Sequence, residues 1–192
     1  MSYHLRTDSD GNVHGVVQQN QANNCVIASL MMIRNQVRQM SYAENQWNTM
    51  HRKYREVVDT FAPPTPVGPM TWNPASHANN QRTTANMFSN VGTYIPQVTS
   101  MLRTEGLKAR LARGNARLNP AALGLRTPAM VAVSWRSGGG HAIVAAGVNN
   151  KGQIVFLDPA SGTIVEMANN GSFANSAYGG RGRIFAAWYV KP

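Results

Sequence analysis

Four residues of this chain have the types and order that covalent acyl transfer requires. Cys25 can supply a nucleophilic thiolate and His141 a general base. Asp158 can orient the base, and the side-chain amide of Gln19 can donate to an oxyanion. The reaction needs all four groups at one point, because the nucleophile must be activated where the developing charge is stabilised.

Taken singly, each of these residues also has a structural explanation. A free cysteine is commonly a small buried hydrophobe, and a lone histidine before an apolar strand is commonly part of the core. Asp158-Pro159 is a typical turn-forming pair. Gln19 lies in a stretch with further glutamines, so it carries little information alone. Both interpretations therefore stay open for each residue, and only their joint occurrence favours catalysis.

The local sequence places Cys25 at the start of a helix. Apolar residues recur at steps of three and four over 24–38, which predicts a helix with one apolar face. Asn23 or Asn24 is a suitable N-cap. The N-terminus of a helix favours a negative charge, so this position suits a thiolate.

After residue 126 the pattern changes to short apolar runs typical of strands. His141 opens one run and Asp158 follows the next, so a hairpin would bring the two together. Gly139 and Gly140 lack side chains and would let a substrate backbone approach that edge. Helices followed by an antiparallel sheet indicate the α+β class. The predicted strands are 128–135, 141–148, 154–157, 163–167 and 184–190.

The rest of the chain completes one domain over 1–192. Residues 1–15 are polar and predict a loose N-terminus, with a leader strand as the alternative. A capping box from Ser41 to Glu44 opens a second helix over 41–61, and prolines then begin an irregular insertion over 62–92. Three predicted elements lead into the sheet. They are a helix starting near Pro96 and stopping at Gly106, a strand over 107–112 and a short helix over 119–123.

Composition restricts the partners. Eighteen Lys and Arg against eight Asp and Glu give a net charge of +10, which predicts attraction to an anionic partner. The cations form no basic block and no nucleic-acid motif, so an acidic protein is favoured over nucleic acid. One cysteine excludes an internal disulfide, and the histidine spacing predicts neither a metal site nor a cofactor. No apolar run predicts a membrane span or a secretion signal, so we expect synthesis in the cytoplasm.

Three segments resemble the active-site blocks of papain-like cysteine peptidases. They are QNQANNCVIASL, GGGHAIVAAGV and IVFLDPASG. The spacing from the histidine to the Asp-Pro pair is most similar to the branch of bacteriocin-processing peptidases and related bacterial effector and toxin domains, and MLRTEGLKARL resembles the segment before the histidine block there. The resemblance implies a papain-like fold. It implies Cys25 as nucleophile, His141 as base and acid, Asp158 as its orienter and Gln19 as oxyanion donor.

The chain departs from this pattern in two places. Val26 follows the cysteine where many relatives carry Gly or Trp, and residues 62–92 match no part of the pattern. Both departures put the substrate groove in question more than the chemistry.

Three functions follow as hypotheses. The first is a bacterial effector or toxin endopeptidase, delivered into a target cell by a specialised secretion system. An acidic immunity protein would then cover its Cys25 cleft. The second keeps the same triad in a peptidoglycan amidase, a deamidase or a transglutaminase. The third is a non-catalytic basic binding module in which Cys25 is only a packing residue.

Overall fold

The computed structural model describes residues 2–19, 24–39, 95–114, 117–135, 140–175 and 180–191. The predicted helix over 41–61 and the insertion over 62–92 lie outside the described residues, as does Gly139. The described elements are two helices and nine strands, and their strand pairings are antiparallel. The predicted α+β class is confirmed at this level. No helix in the described ranges is long and apolar enough to cross a membrane.

The N-terminus forms a hairpin. Of the two expectations for this segment, the loose terminus over 1–15 is wrong, and the alternative of a leader strand describes the segment better. Strand β1 (Ser2–Thr7) pairs with β2 (Val13–Gln18). Asp8 organises the connecting turn, because its carboxylate accepts hydrogen bonds from the backbone N–H groups of Asp10 and Asn12. It also pairs with His14 Nε2 at 2.9 Å, and both side chains are buried. In the sequence these polar residues indicate an irregular segment. In the structure they form hydrogen bonds with one another within the turn.

Helix α1 (Cys25–Arg38) confirms the predicted helix, but it is more deeply enclosed than one apolar face would require. Every residue from Cys25 to Ile33 is buried. Asn24 holds the N-cap position, yet its side chain makes no capping hydrogen bond. Its backbone carbonyl accepts from Ala28 N–H at 3.0 Å and so begins the helix. The N-cap prediction is therefore right in position and wrong in mechanism.

Helix α2 (Ile95–Thr104) and strand β3 (Lys108–Arg113) follow the predicted order. Val98, Met101 and Leu102 share the buried face of α2, as their spacing predicts. Gly106 has a φ of +69°, the left-handed conformation that commonly ends a helix. A single 3₁₀ turn (Pro120–Ala122) stands where the short helix over 119–123 is predicted.

The C-terminal half forms most of the main sheet. Its strands are β4 (Ala129–Trp135), β5 (Gly140–Val148), β6 (Ile154–Asp158), β7 (Thr163–Met167), β8 (Ser172–Asn175) and β9 (Gly180–Lys191). The strand order is β3-β9-β4-β5-β6-β7, with β8 also paired to β9. The predicted strand positions are confirmed, except that β8 is not anticipated and β9 begins earlier than expected.

Alternate residues of the sheet enter two separate apolar clusters. Ala142, Val144 and Ala146 of β5 pack with the two helices and the end of the N-terminal hairpin. Ile143 and Ala145 face the other way and pack with Phe156 and other side chains on the opposite face. The period of two therefore places every second residue of β5 on the helix side.

Candidate active site

Cys25, His141 and Asp158 meet at one end of the main sheet. Cys25 is the first residue of α1, His141 the second of β5 and Asp158 the last of β6. His141 Nε2 lies 2.7 Å from Asp158 Oδ1. The Cys25 side chain lies close enough to the same imidazole to raise its pKa. Since Nε2 is engaged by the carboxylate, Nδ1 is the ring nitrogen left for the thiol.

Strand register explains how the histidine meets the carboxylate. Val144 of β5 pairs with Leu157 of β6. Continuing that register places Asp158 opposite Ile143, two residues from His141 and on the same face of the sheet. Such diagonal cross-strand neighbours lie about 7–8 Å apart at their Cα atoms, within reach of long side chains.

Two hydrogen bonds hold α1 along β5 and so place the sulfur. Ser29 Oγ donates to the Ala142 carbonyl at 3.1 Å, and Gln36 Nε2 donates to the Ala146 carbonyl at 3.0 Å. Cys25 lies one helical turn before Ser29, and His141 directly precedes Ala142. The helix therefore runs along β5 with its N-terminus at the His141 end of the strand.

The site is well shielded from water. Cys25 is 6% exposed, His141 4% and Asp158 0%. Charges in such surroundings interact more strongly than in water, because solvent screens them less. Little of the Cys25 residue is therefore open to solvent.

Burial and pairing act in opposite directions on the imidazole. Burial by itself lowers the pKa of His141, but the hydrogen bonds and charges of Asp158 and Cys25 outweigh it and raise the pKa to about 9. Burial by itself raises the pKa of Asp158, whereas its hydrogen bond to His141 and the imidazolium charge bring that pKa below its ordinary value. At neutral pH the histidine is therefore an imidazolium beside a carboxylate.

The loop after β6 holds the carboxylate in place. Ala160 N–H donates to Asp158 Oδ1 at 3.0 Å, and Ser161 Oγ donates to Oδ2 at 2.9 Å. Both oxygens thus have further donors besides the imidazole. The role of Ser161 was not predicted from the sequence, although its position three residues after an aspartate in a turn was a local signal.

Trp135, also missed from the sequence, lies against the imidazole. Its ring centroid is 6.0 Å from that of His141, and the planes differ by 25°. Phe173 packs on the tryptophan in turn at 6.3 Å. Val133 pairs with His141 across the strands, so Trp135 falls diagonally beside it on the same face. Pairing the two predicted strands on either side of the glycine-rich sequence would have found it.

The remaining predicted site residues have different positions. Gln19 directly follows β2. Its backbone N–H donates to the Pro159 carbonyl at 2.8 Å, and this brings it to the loop that holds Asp158. Gly140 is exposed, and a Cβ there would meet only the Val133 carbonyl at 3.4 Å, an ordinary contact. Space alone therefore does not demand glycine at 140. Gly139 lies outside the described residues.

Comparisons with known proteins add no assignment. No model of a known protein family matches the chain, and no curated protein matches it. Within the described ranges, no group of three or more His, Cys, Asp or Glu residues could hold a metal ion. The function must therefore be argued from the geometry of the site.

Proposed function

We propose that this protein is a papain-like cysteine endopeptidase that works through a Cys-His-Asp triad. One observation carries the proposal: the His141 imidazole lies between the thiol of Cys25 and the carboxylate of Asp158. A packing cysteine needs no such neighbours, whereas a nucleophile needs a base that is itself oriented by a third group.

In the proposed reaction the Cys25 sulfur is the nucleophile and the imidazolium of His141 is its neighbour. The thiolate attacks the carbonyl carbon of an amide and forms a tetrahedral intermediate. Nδ1–H of His141 then protonates the leaving amine, and an acyl-enzyme remains on Cys25. Water, deprotonated by the now neutral His141, attacks the acyl carbon and releases the acid. Asp158 keeps the ring in one tautomer and orientation throughout.

The start of α1 supports an oxyanion site. Among the described residues, the earliest backbone hydrogen bond of the helix runs from Ala28 N–H to the Asn24 carbonyl. The N–H groups of Cys25 and Val26 precede it, where helix geometry supplies no intrahelical acceptor. We assign the Cys25 N–H and the side chain of Gln19 to the oxyanion. Removing one such donor typically costs about 3–4 kcal/mol of transition-state stabilisation.

We further propose that the endopeptidase is a bacterial effector that acts inside a target cell. The test is expression of the wild type and of Cys25→Ala in a sensitive bacterium, with mapping of new protein N-termini. We expect growth arrest and a short set of new termini with the wild type, and neither with the variant.

Two other outcomes would replace the proposal. Digestion of cell wall without new protein termini would identify an amidase with the same triad. Growth arrest that persists in Cys25→Ala would show that Cys25 is a packing residue in a non-catalytic protein. Asp8→Asn is the matched control, because it alters the other buried Asp–His pair and leaves the triad intact.

A further inference from the structure

Five exposed cations gather at one edge of the main sheet, which we name the basic edge. They surround two adjoining cavities of about 660 and 30 Å³. None of the described residues that line these cavities is acidic. Glu105 is the described acidic residue that most closely precedes β3 along the chain. It is buried, and its carboxylate lies 3.2 Å from Arg34 Nε. The five cations are Lys108, Arg110, Arg113, Arg117 and Lys191.

The strand register concentrates three of these charges on one face. Lys108 of β3 pairs directly with Lys191 of β9, and Arg110 pairs with Tyr189. Because side chains alternate along a strand, Lys108 and Arg110 point to the same side, together with Lys191. Like charges placed directly opposite each other are destabilising, so this face favours an anion between them.

One edge of the backbone beside these charges has no paired strand within the described part of the chain. Among the strands that the structure describes, β3 pairs with β9 alone. Its outer edge therefore offers backbone N–H and C=O groups to an added strand. An extended peptide with carboxylates at alternate positions would match the two-residue spacing of Lys108 and Arg110.

The same surface is poorly suited to nucleic acid. Tyr189 is the aromatic residue among those lining the larger cavity, and it is buried. The guanidinium of Arg110 lies over its ring at 5.4 Å from the centroid. The ring face that a base would stack on is thus covered.

We propose that the basic edge binds an acidic, extended segment of a partner protein as an additional strand beside β3. Ile184 pairs with Val133, the residue opposite His141. Lys191 follows seven residues later, roughly 20 Å along β9 at about 3.3 Å per residue. An acidic segment bound at the basic edge therefore lies away from the triad and is a different contact from the immunity protein expected over the Cys25 cleft. This binding does not depend on whether Cys25 is a nucleophile.

The test measures binding of short labelled probes to the full chain carrying Cys25→Ala, by fluorescence anisotropy at low salt. The main probe is a Glu-Thr-Glu-Thr-Glu-Thr peptide. A Glu-Pro-Glu-Pro-Glu-Pro peptide has the same charge but cannot pair with a strand edge, and a thymidine oligonucleotide tests nucleic acid. The variant Lys108→Gln/Arg110→Gln is compared with Lys151→Gln/Arg181→Gln, which removes two exposed charges elsewhere.

We expect the Glu-Thr peptide to bind best and to weaken as salt rises. The β3 variant should lose about fivefold to tenfold in affinity, and the control variant less than twofold. The charge-swapped Lys108→Glu/Arg110→Glu should instead bind a Lys-Thr peptide, which excludes misfolding as the cause.

Three results would overturn the proposal. One is equal loss of affinity in both double variants. Another is equal binding of the proline peptide, which would leave only diffuse charge attraction. The third is tighter binding of the oligonucleotide that is lost with Lys108→Gln/Arg110→Gln.

Discussion

Replacing Asp158 by asparagine tests the ion pair on which the candidate site depends. Asparagine keeps the size of the side chain and one oxygen for the Ala160 N–H, so the loop contacts can persist. What disappears is the negative charge 2.7 Å from His141 Nε2. The imidazole then stays buried with its main counter-charge removed.

The size of the effect follows from the pKa of His141. The pKa rises from its ordinary value of 6.5 to about 9. Each pKa unit corresponds to 1.36 kcal/mol, so the pairing contributes about 3 kcal/mol to folding stability. Cys25 supplies part of that rise. We therefore expect Asp158→Asn to lower the free energy of unfolding by about 2 kcal/mol at pH 6 through this charge effect.

The effect has a defined pH window. Because the pKa of His141 is higher in the folded state, its contribution is complete below pH 6.5 and disappears as the pH rises through about 9. The pKa of Asp158 is lowered, so its contribution is lost only as the pH falls below its ordinary value of 3.8. The wild type and the variant should therefore differ most near pH 6 and least near pH 10.

Urea unfolding of both proteins at pH 6 and pH 10 measures this difference directly. Ionisation of surface groups affects the two proteins alike and cancels in the comparison. Equal destabilisation at both pH values would refute the reasoning, since Asp158 would then act through packing and hydrogen-bond geometry alone. As a second readout, iodoacetamide should modify Cys25 more slowly at pH 6 in Asp158→Asn, and at the wild-type rate in Asp8→Asn.

Three further variants probe the surroundings of the triad. Trp135→Ala should cost about 3–5 kcal/mol in urea unfolding, because it empties a buried site beside the imidazole; a loss below 1 kcal/mol would contradict that packing. Gly162→Ala should lower the free energy of unfolding by about 1–3 kcal/mol, since φ is +66° and a Cβ would lie 3.0 Å from Gln18. An unchanged melting temperature would exclude this strain. Ser161→Ala should cost about 1 kcal/mol through the lost hydrogen bond to Asp158, and destabilisation above 3 kcal/mol would show an additional structural role.

Features that depend on neighbouring residues could be predicted from the sequence. The period of the apolar residues predicted α1 and placed Cys25 at its start. Gly106 marked the end of α2, and the apolar runs located four of the strands within a residue or two. These features succeed because helix caps, turns and hydrophobic periodicity are decided by residues only a few positions apart.

Features that depend on distant partners could not be predicted in this way. The N-terminal hairpin escaped prediction because Asp8 and His14 become favourable only once each is buried against the other. Strand β8 is short and gains its stability from pairing with β9. Polar residues of this kind resemble loop sequence until a distant chain segment supplies their hydrogen bonds.

Local patterns in the sequence were enough to place a thiol, an imidazole and a carboxylate at the ends of regular elements. That these three ends meet at one point depends on how the elements pack together. The register between β5 and β6 sets the position of Asp158 relative to His141, and the docking of α1 on the Ala142 and Ala146 carbonyls sets that of Cys25. A slip of one residue would turn the imidazole to the other face of the sheet, and no local pattern excludes such a slip, because register depends on how the whole core packs.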